Sequence, residues 1–178
     1  RRPVAHRSLP VKQPPHSPAS SGTPVLSVPT PRLGISAVSG GGGKTLLSLG
    51  LARCWRTAGL RVQPFKKGPD YIDAAWLTQA AGRPACNLDP FFLPAERLRL
   101  LFAERTGHGV LSGTVGCAAA PHPADVALLE GNRGLFDGMD VQGSCSTAEL
   151  ARTLSCPVLL SLNCTKMTRT AAAVVAGL

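Results

Sequence analysis

Aromatic residues make up only 4% of this 178-residue chain, and ten acidic residues face 19 lysines and arginines. Scarcity of rings argues against an aromatic-rich β-sandwich. It leaves Leu, Val and Ala, within an apolar share of 44%, to fill the core of an α/β domain. No apolar run is long enough to span a bilayer, so a membrane protein is not expected. The six cysteines, at 54, 86, 117, 145, 156 and 164, form no CxxC pair and no ligand cluster with histidine. Neither a zinc site nor a disulfide framework is therefore expected, and the thiols read as those of a reduced, cytoplasmic protein. A basic stripe interleaved with aromatics is also missing, so nucleic acid is not an expected partner. There is no internal repeat.

What is present divides into two textures. Residues 1–31 are rich in Pro and Ser and hold four basic and no acidic residues. Such a segment buries too little apolar surface to offset chain entropy, and it is expected to be a disordered basic tail. The stretch 32–178 keeps 15 basic and ten acidic residues, a net charge of +5 that suits anionic ligands, nucleotides and polycarboxylates included. Its length suits one domain.

Within 32–178, short apolar strands alternate with helices. Strands are expected at 32–38 (RLGISAV), 60–65 (LRVQPF), 124–131 (ADVALLEG) and 157–163 (PVLLSLN). Helices are expected from Lys44 to Gly59, across 71–82 and 94–104, over 147–154, and from Met167 onward. Residues 106–123 read as a loop of small residues. This alternation predicts a layered α/β fold with a mostly parallel sheet, of the P-loop NTPase type.

The strongest local signal is SGGGGKT, with Ser39, Gly40, Gly41, Gly42, Gly43, Lys44 and Thr45 between a strand and a helix. Glycines let backbone N–H groups turn toward phosphate oxygens where side chains would collide. The helix that follows points its positive end at the same place. Lys44 is then expected on the terminal phosphates and the Thr45 hydroxyl on Mg²⁺, making ATP and Mg²⁺ the expected cofactors. A flexible glycine linker is the plain alternative, but the flanking strand and helix stand in the required order.

With acids scarce, their placement is informative. Glu130 ends an apolar strand and precedes Gly131, a Walker-B-like position at a carboxyl edge of the sheet. Asp70 and Asp73 follow the second strand in KKGPDYID, and Asp137 sits in GLFDG. Capping or turn roles are the alternative for these three. Spacing alone does not name a second substrate.

The segments PFKKGPDYID, NLDPFFL, LLEGNRGLFDG, GSCSTAELARTL and PVLLSLN occur in an order that resembles the cobyrinic acid a,c-diamide synthases, whose ATP-binding domain is similar to dethiobiotin synthetase. The resemblance runs from Arg32 to Leu178. It implies ATP-dependent amidation of the a and c carboxylates of cobyrinic or hydrogenobyrinic acid through an acyl phosphate, with ammonia normally drawn from glutamine. It also implies that Lys44 and Thr45 bind triphosphate and Mg²⁺, and that Asp70 and Glu130 match acids at the metal. Tyr71, Ile72, Asp73 and Asp137 match positions lining the substrate and phosphoryl-transfer region. Lys66 would neutralise a carboxylate or the γ-phosphate, with Thr147 and Glu149 as lesser contacts. The chain differs from the family pattern at Ala37 and Val38 in the loop, at Asn163, and at Lys67, where an apolar residue is usual. A homodimer is compatible with the resemblance. The family continues into a glutaminase domain, and no cysteine here matches its nucleophile. The chain is therefore expected to be the ATP-binding part, with an incomplete last helix and no glutaminase activity of its own. Two other readings stay open: a ParA/MinD-like nucleotide switch and a non-catalytic copy.

Overall fold

A computed structural model describes residues 28–108 and 122–178. Most of the expected basic tail and most of the expected 106–123 loop lie outside the described residues. Residues 28–31, at the end of that tail, are described: Val28 packs on the core and Thr30 is buried.

Five strands form one parallel sheet: β1 (Arg32–Ala37), β2 (Val62–Lys67), β3 (Cys86–Leu88), β4 (Val126–Glu130) and β5 (Val158–Ser161). Their order across the sheet is β3-β2-β4-β1-β5, so β4 is inserted between two strands that precede it in the chain. The helices are α1 (Lys44–Thr57), α2 (Tyr71–Ala81), α3 (Ala95–Thr106), α4 (Thr147–Thr153) and α5 (Thr170–Ala176). The architecture is the expected α/β, P-loop-type layered fold. β3 is the element without a sequence signal, since three residues cannot display a period.

Strand alternation builds two cores. Val62, Leu128 and Ile35 face Ala52 and Ala81, with Leu47, Leu51 and Trp55 of α1 packed around them. Phe65, Ala127 and Leu129 face the other way, onto Leu98 and Phe102 of α3 and Leu150 and Ala151 of α4. Helices α1 and α2 thus cover one face and α3 and α4 the other, as parallel sheets require. Of the few rings, Phe65 and Phe102 are buried and stacked, 4.9 Å between centroids. Tyr71, Trp76, Phe91, Phe92 and Phe136 remain exposed. Among the described residues, no helix is long and apolar enough to cross a membrane.

Parallel strands bring their carboxyl ends to one edge, and the loops that leave it carry SGGGGKT after β1, GPD after β2 and GNRGLFDG after β4. This is where an α/β sheet collects ligands. Phe65 is fully buried and fills the α3/α4 core, so Phe65→Ala should cost about 3–5 kcal/mol of unfolding free energy in urea titrations. A loss below about 1 kcal/mol would contradict this placement of the core.

Candidate functional site

The glycine loop after β1, the expected phosphate loop, is built for close backbone approach. Gly41 and Gly43 have φ of 72° and 83°, a region costly for side-chain-bearing residues. A Cβ on Gly42 would come within 2.7 Å of the Ala37 Cβ. Gly43 is the N-cap of α1, with no capping side chain and no acidic residue in the first turn, so the helix end keeps its free N–H groups and positive potential. The Ser161 hydroxyl at the end of β5 donates to the Gly42 carbonyl and ties the loop to the sheet. Lys44 is buried and its Nζ donates to the Ser39 carbonyl at 3.2 Å, folding back over the loop it follows.

Beneath the loop lies a charge cluster centred on two buried groups, Lys66 and Glu130. Lys66 on β2 and Glu130 on β4 are register partners. Parallel neighbours in register present their side chains to the same face. Lys66 Nζ donates to Glu130 Oε1 at 2.9 Å and to Asp73 Oδ2, in the first turn of α2, at 2.6 Å. The Thr45 hydroxyl donates to Glu130 Oε1 at 2.6 Å and lies 3.5 Å from Asp73 Oδ2. Four expected site residues from four elements thus meet. Glu130 is 0% exposed, and its second oxygen, Oε2, has no hydrogen-bond partner.

Asp70 is placed differently from Asp73. Its Oδ1 accepts from the N–H groups of Ile72 and Asp73, both at 3.0 Å, capping α2, while Oδ2 lies 3.9 Å from Lys66 Nζ. Asn87 on β3 holds the preceding turn, donating to the carbonyls of Gly68 at 2.6 Å and Asp70 at 3.0 Å. Tyr71 and Ile72 are exposed beside it. Asp137 Oδ2 accepts from Gly134 N–H at 2.8 Å, and the Leu135 N–H donates to the Ala37 carbonyl, fastening the GLFDG loop against the start of the phosphate loop. Thr147 packs against Gly131, where a Cβ would meet its methyl at 2.7 Å. Glu149 accepts from Cys145 N–H beside the α4 cap, while Ser146 Oγ accepts from Glu149 N–H, so both acceptors serve to start the helix.

Electrostatics follow from this packing. Burial works against charge on Lys66, but hydrogen bonds and attraction from Asp73 and Glu130 outweigh it and raise its pKa. Burial also works against ionisation of Asp73, and the Lys66 ammonium reverses that, holding the carboxyl below its ordinary range. Lys44 is shifted down, first by burial and then by repulsion from Lys66, against the pull of Glu130, Asp137 and Asp73.

A cleft of about 310 Å³ opens beside the cluster, on the far face of β2, lined by Lys67, Asp89, Phe91, Asn132, Arg133 and Asp137 among others. Asp137 therefore borders the cleft and also acts on Lys44. Asn132, Arg133, Asp89 and Asn87 carried no sequence signal of their own. They lie inside the recognisable segments, but only the fold turns them toward the site.

The ion cluster predicts its own pH window. The stability from Lys66 is present below its ordinary pKa of 10.5 and is lost as pH rises through its raised folded value. The stability from Asp73 is present above its ordinary 3.8 and is lost as pH falls through its lowered folded value. Lys66→Met, which strands the buried Glu130 carboxylate, should cost about 3–5 kcal/mol at neutral pH, and adding Glu130→Gln should recover part of it. Urea titrations of both variants check this; a neutral Lys66→Met would contradict it.

Residues 33–178 match the CobQ/CobB/MinD/ParA nucleotide-binding-domain family. The chain is also similar to proteins named cobyrinate a,c-diamide synthase from Magnetococcus marinus, 44% identical over 83% of this chain, and from Syntrophotalea carbinolica, again 44% identical over 83%. A hydrogenobyrinate a,c-diamide synthase from Thermobifida fusca is 43% identical over 83% of the chain. The match covers 28%, 29% and 29% of those three relatives, so this chain spans under a third of their length. Because that family match spans nearly all of the described fold, the chain belongs to the CobQ/CobB/MinD/ParA nucleotide-binding-domain family.

Proposed function

We propose that this chain is the ATP- and Mg²⁺-binding part of an amidoligase that converts carboxylates of cobyrinic or hydrogenobyrinic acid to amides. The observation that carries this reading is the convergence of Thr45, Lys66, Asp73 and Glu130 beneath the phosphate loop, with Asp137 standing between Lys44 and an open cleft. A nucleotide site with a second cavity at its terminal-phosphate end suits phosphoryl transfer to a second substrate. The names of the similar proteins supply the substrate class.

The residues fit a hard divalent cation. Glu130 Oε2 is a buried acceptor without a partner, the Thr45 hydroxyl is adjacent, and the cluster carries three carboxylates around one ammonium. Thr45 and Glu130 would hold Mg²⁺, with Asp73 or Asp70 nearby, the remaining ligands being phosphate and water as is usual for this ion. Bound there, Mg²⁺ neutralises triphosphate charge.

Lys44 would leave the Ser39 carbonyl for the β- and γ-phosphates, and the α1 N-terminus would receive the phosphate oxygens. A substrate carboxylate near Asp137 then attacks the γ-phosphorus; the bond to the bridging oxygen breaks and ADP departs, leaving an acyl phosphate. Ammonia adds to that carbonyl, phosphate leaves, and a proton is lost to give the amide. Lys66 holds Asp73 and Glu130 in place throughout and offsets their mutual repulsion. Glutamine is the proposed nitrogen source, as the resemblance to the cobyrinic acid a,c-diamide synthases implies.

A nucleotide switch of the ParA/MinD type belongs to the same broad family. The similarity to diamide synthases and the cleft beside Asp137 favour amidation. Calorimetry with MgATP should show binding by the parent chain and at least a tenfold weakening in Lys44→Ala, which loses a charged phosphate contact. ADP release with ammonia should then rise on adding cobyrinic acid. MgATP binding without that stimulation would favour the switch or a non-catalytic copy; no MgATP binding by folded parent protein would reject the reading.

A further inference from the structure

Two adjacent lysines at the end of β2 meet opposite fates. Strand alternation sends Lys66 to the α1/α2 face, where Asp73 and Glu130 engage it, and Lys67 to the α3/α4 face. Lys67 is 8% exposed and lines the cleft, yet its ammonium has no hydrogen-bond or ion-pair partner among the described residues. The side chain is buried while its ammonium faces the cleft, where Asp89 attracts it without an ion pair, so an incoming anion would add to a partly compensated charge.

The other charges of the cleft sharpen this. Asp89 Oδ1 accepts from Phe91 N–H at 3.0 Å and Asp137 Oδ2 from Gly134 N–H at 2.8 Å, so each carboxylate already has a backbone donor. Arg133, exposed at the same cleft and held at φ 54°, has no hydrogen-bond or ion-pair partner among the described residues. Among the described residues, Lys67 and Arg133 are thus the charged groups of the cleft with no hydrogen bond at all, while each carboxylate has one oxygen engaged and one free. Around it Phe91, Phe92 and Met139 stand exposed, at 57%, 66% and 65%. Apolar walls with unsatisfied cations suit a ligand with a flat apolar body and carboxylates at its rim.

We propose that this cleft is a recognition subsite for a second substrate carboxylate, distinct from the one being phosphorylated, with Lys67 as the specificity-determining residue and Arg133 as an auxiliary cation. The assignment rests on the amidation reading and adds to it. Asp137 borders both the cleft and the nucleotide site, so a carboxylate on Lys67 would anchor the macrocycle while a neighbouring one meets the γ-phosphate. Burial lowers the Lys67 pKa from its ordinary 10.5, and a bound carboxylate would raise it again.

Calorimetric titration of the parent chain, Lys67→Met and Lys67→Arg with cobyrinic acid and with its fully methyl-esterified form tests this. Methionine preserves the volume of the side chain, and MgATP binding by Lys67→Met, unchanged from the parent, serves as the folding control. The parent should bind the acid at least about tenfold tighter than the ester. Lys67→Met should lose most of that preference while its ester affinity stays as in the parent, and Lys67→Arg should keep it. If Lys67→Met retains the parent's preference for the acid, the subsite is wrong and the amidation reading stands. Parent protein that binds MgATP but neither acid nor ester overturns the amidation reading, and the subsite with it.

Discussion

Lys66 is a fully enclosed ammonium that two carboxylates from different elements must share. Register sets the arrangement: β2 and β4 pair so that Lys66 lies beside Glu130, and the turn after β2 brings Asp73 back over both. Without Lys66, a buried glutamate and a nearby aspartate would repel each other under the phosphate loop. With it, they are fixed a hydrogen bond from the Thr45 hydroxyl. The glycines keep the loop backbone uncovered, and this cluster sets the charge beneath it. In the proposed reading, its three carboxylates and the one orphaned oxygen would receive a nucleotide-bound cation.

The same strand links that cluster to the rest of the molecule. Phe65 anchors β2 in the α3/α4 core, Lys66 serves the nucleotide face and Lys67 opens onto the cleft, three successive residues with three surroundings. Gly68, at φ 82°, then turns the chain toward Asp70, whose capping bonds start α2 and so position Asp73. Folding and site construction share these contacts. A substitution at Phe65 or Lys66 would therefore disturb the core or the charge cluster directly, whereas one in the exposed first turn of α2, at Tyr71 or Ile72, would spare the core.

Much of this was legible in the chain. Apolar strands alternating with helices named the α/β class, and SGGGGKT marked the phosphate loop because its neighbours were a strand and a helix. Glu130 stood out because an acid closing an apolar strand needs a partner. Other features depended on distance in sequence. β3 has three residues and no period, yet its Asn87 pins the turn that carries Asp70. Lys66 and Lys67 are chemically identical neighbours, and only the pleat and the residues packed on each face distinguish them. Asp70 and Asp73 both lie at the start of a helix, and composition could not say which caps it and which reaches Thr45. Asn132 and Arg133 became visible only when the GLFDG loop folded back against the phosphate loop.

The central claim is that the Lys66-centred cluster holds Thr45 and Glu130 ready for a nucleotide-bound cation. A crystal structure of the chain with Mg²⁺ and a non-hydrolysable ATP analogue tests it most directly. The account predicts Lys44 Nζ moved from the Ser39 carbonyl to the phosphates, and Mg²⁺ at about 2.1 Å from the Thr45 hydroxyl with Glu130 adjacent. The nucleotide found elsewhere, or Thr45 still bonded to Glu130 with no cation between the cluster and the phosphates, would contradict it.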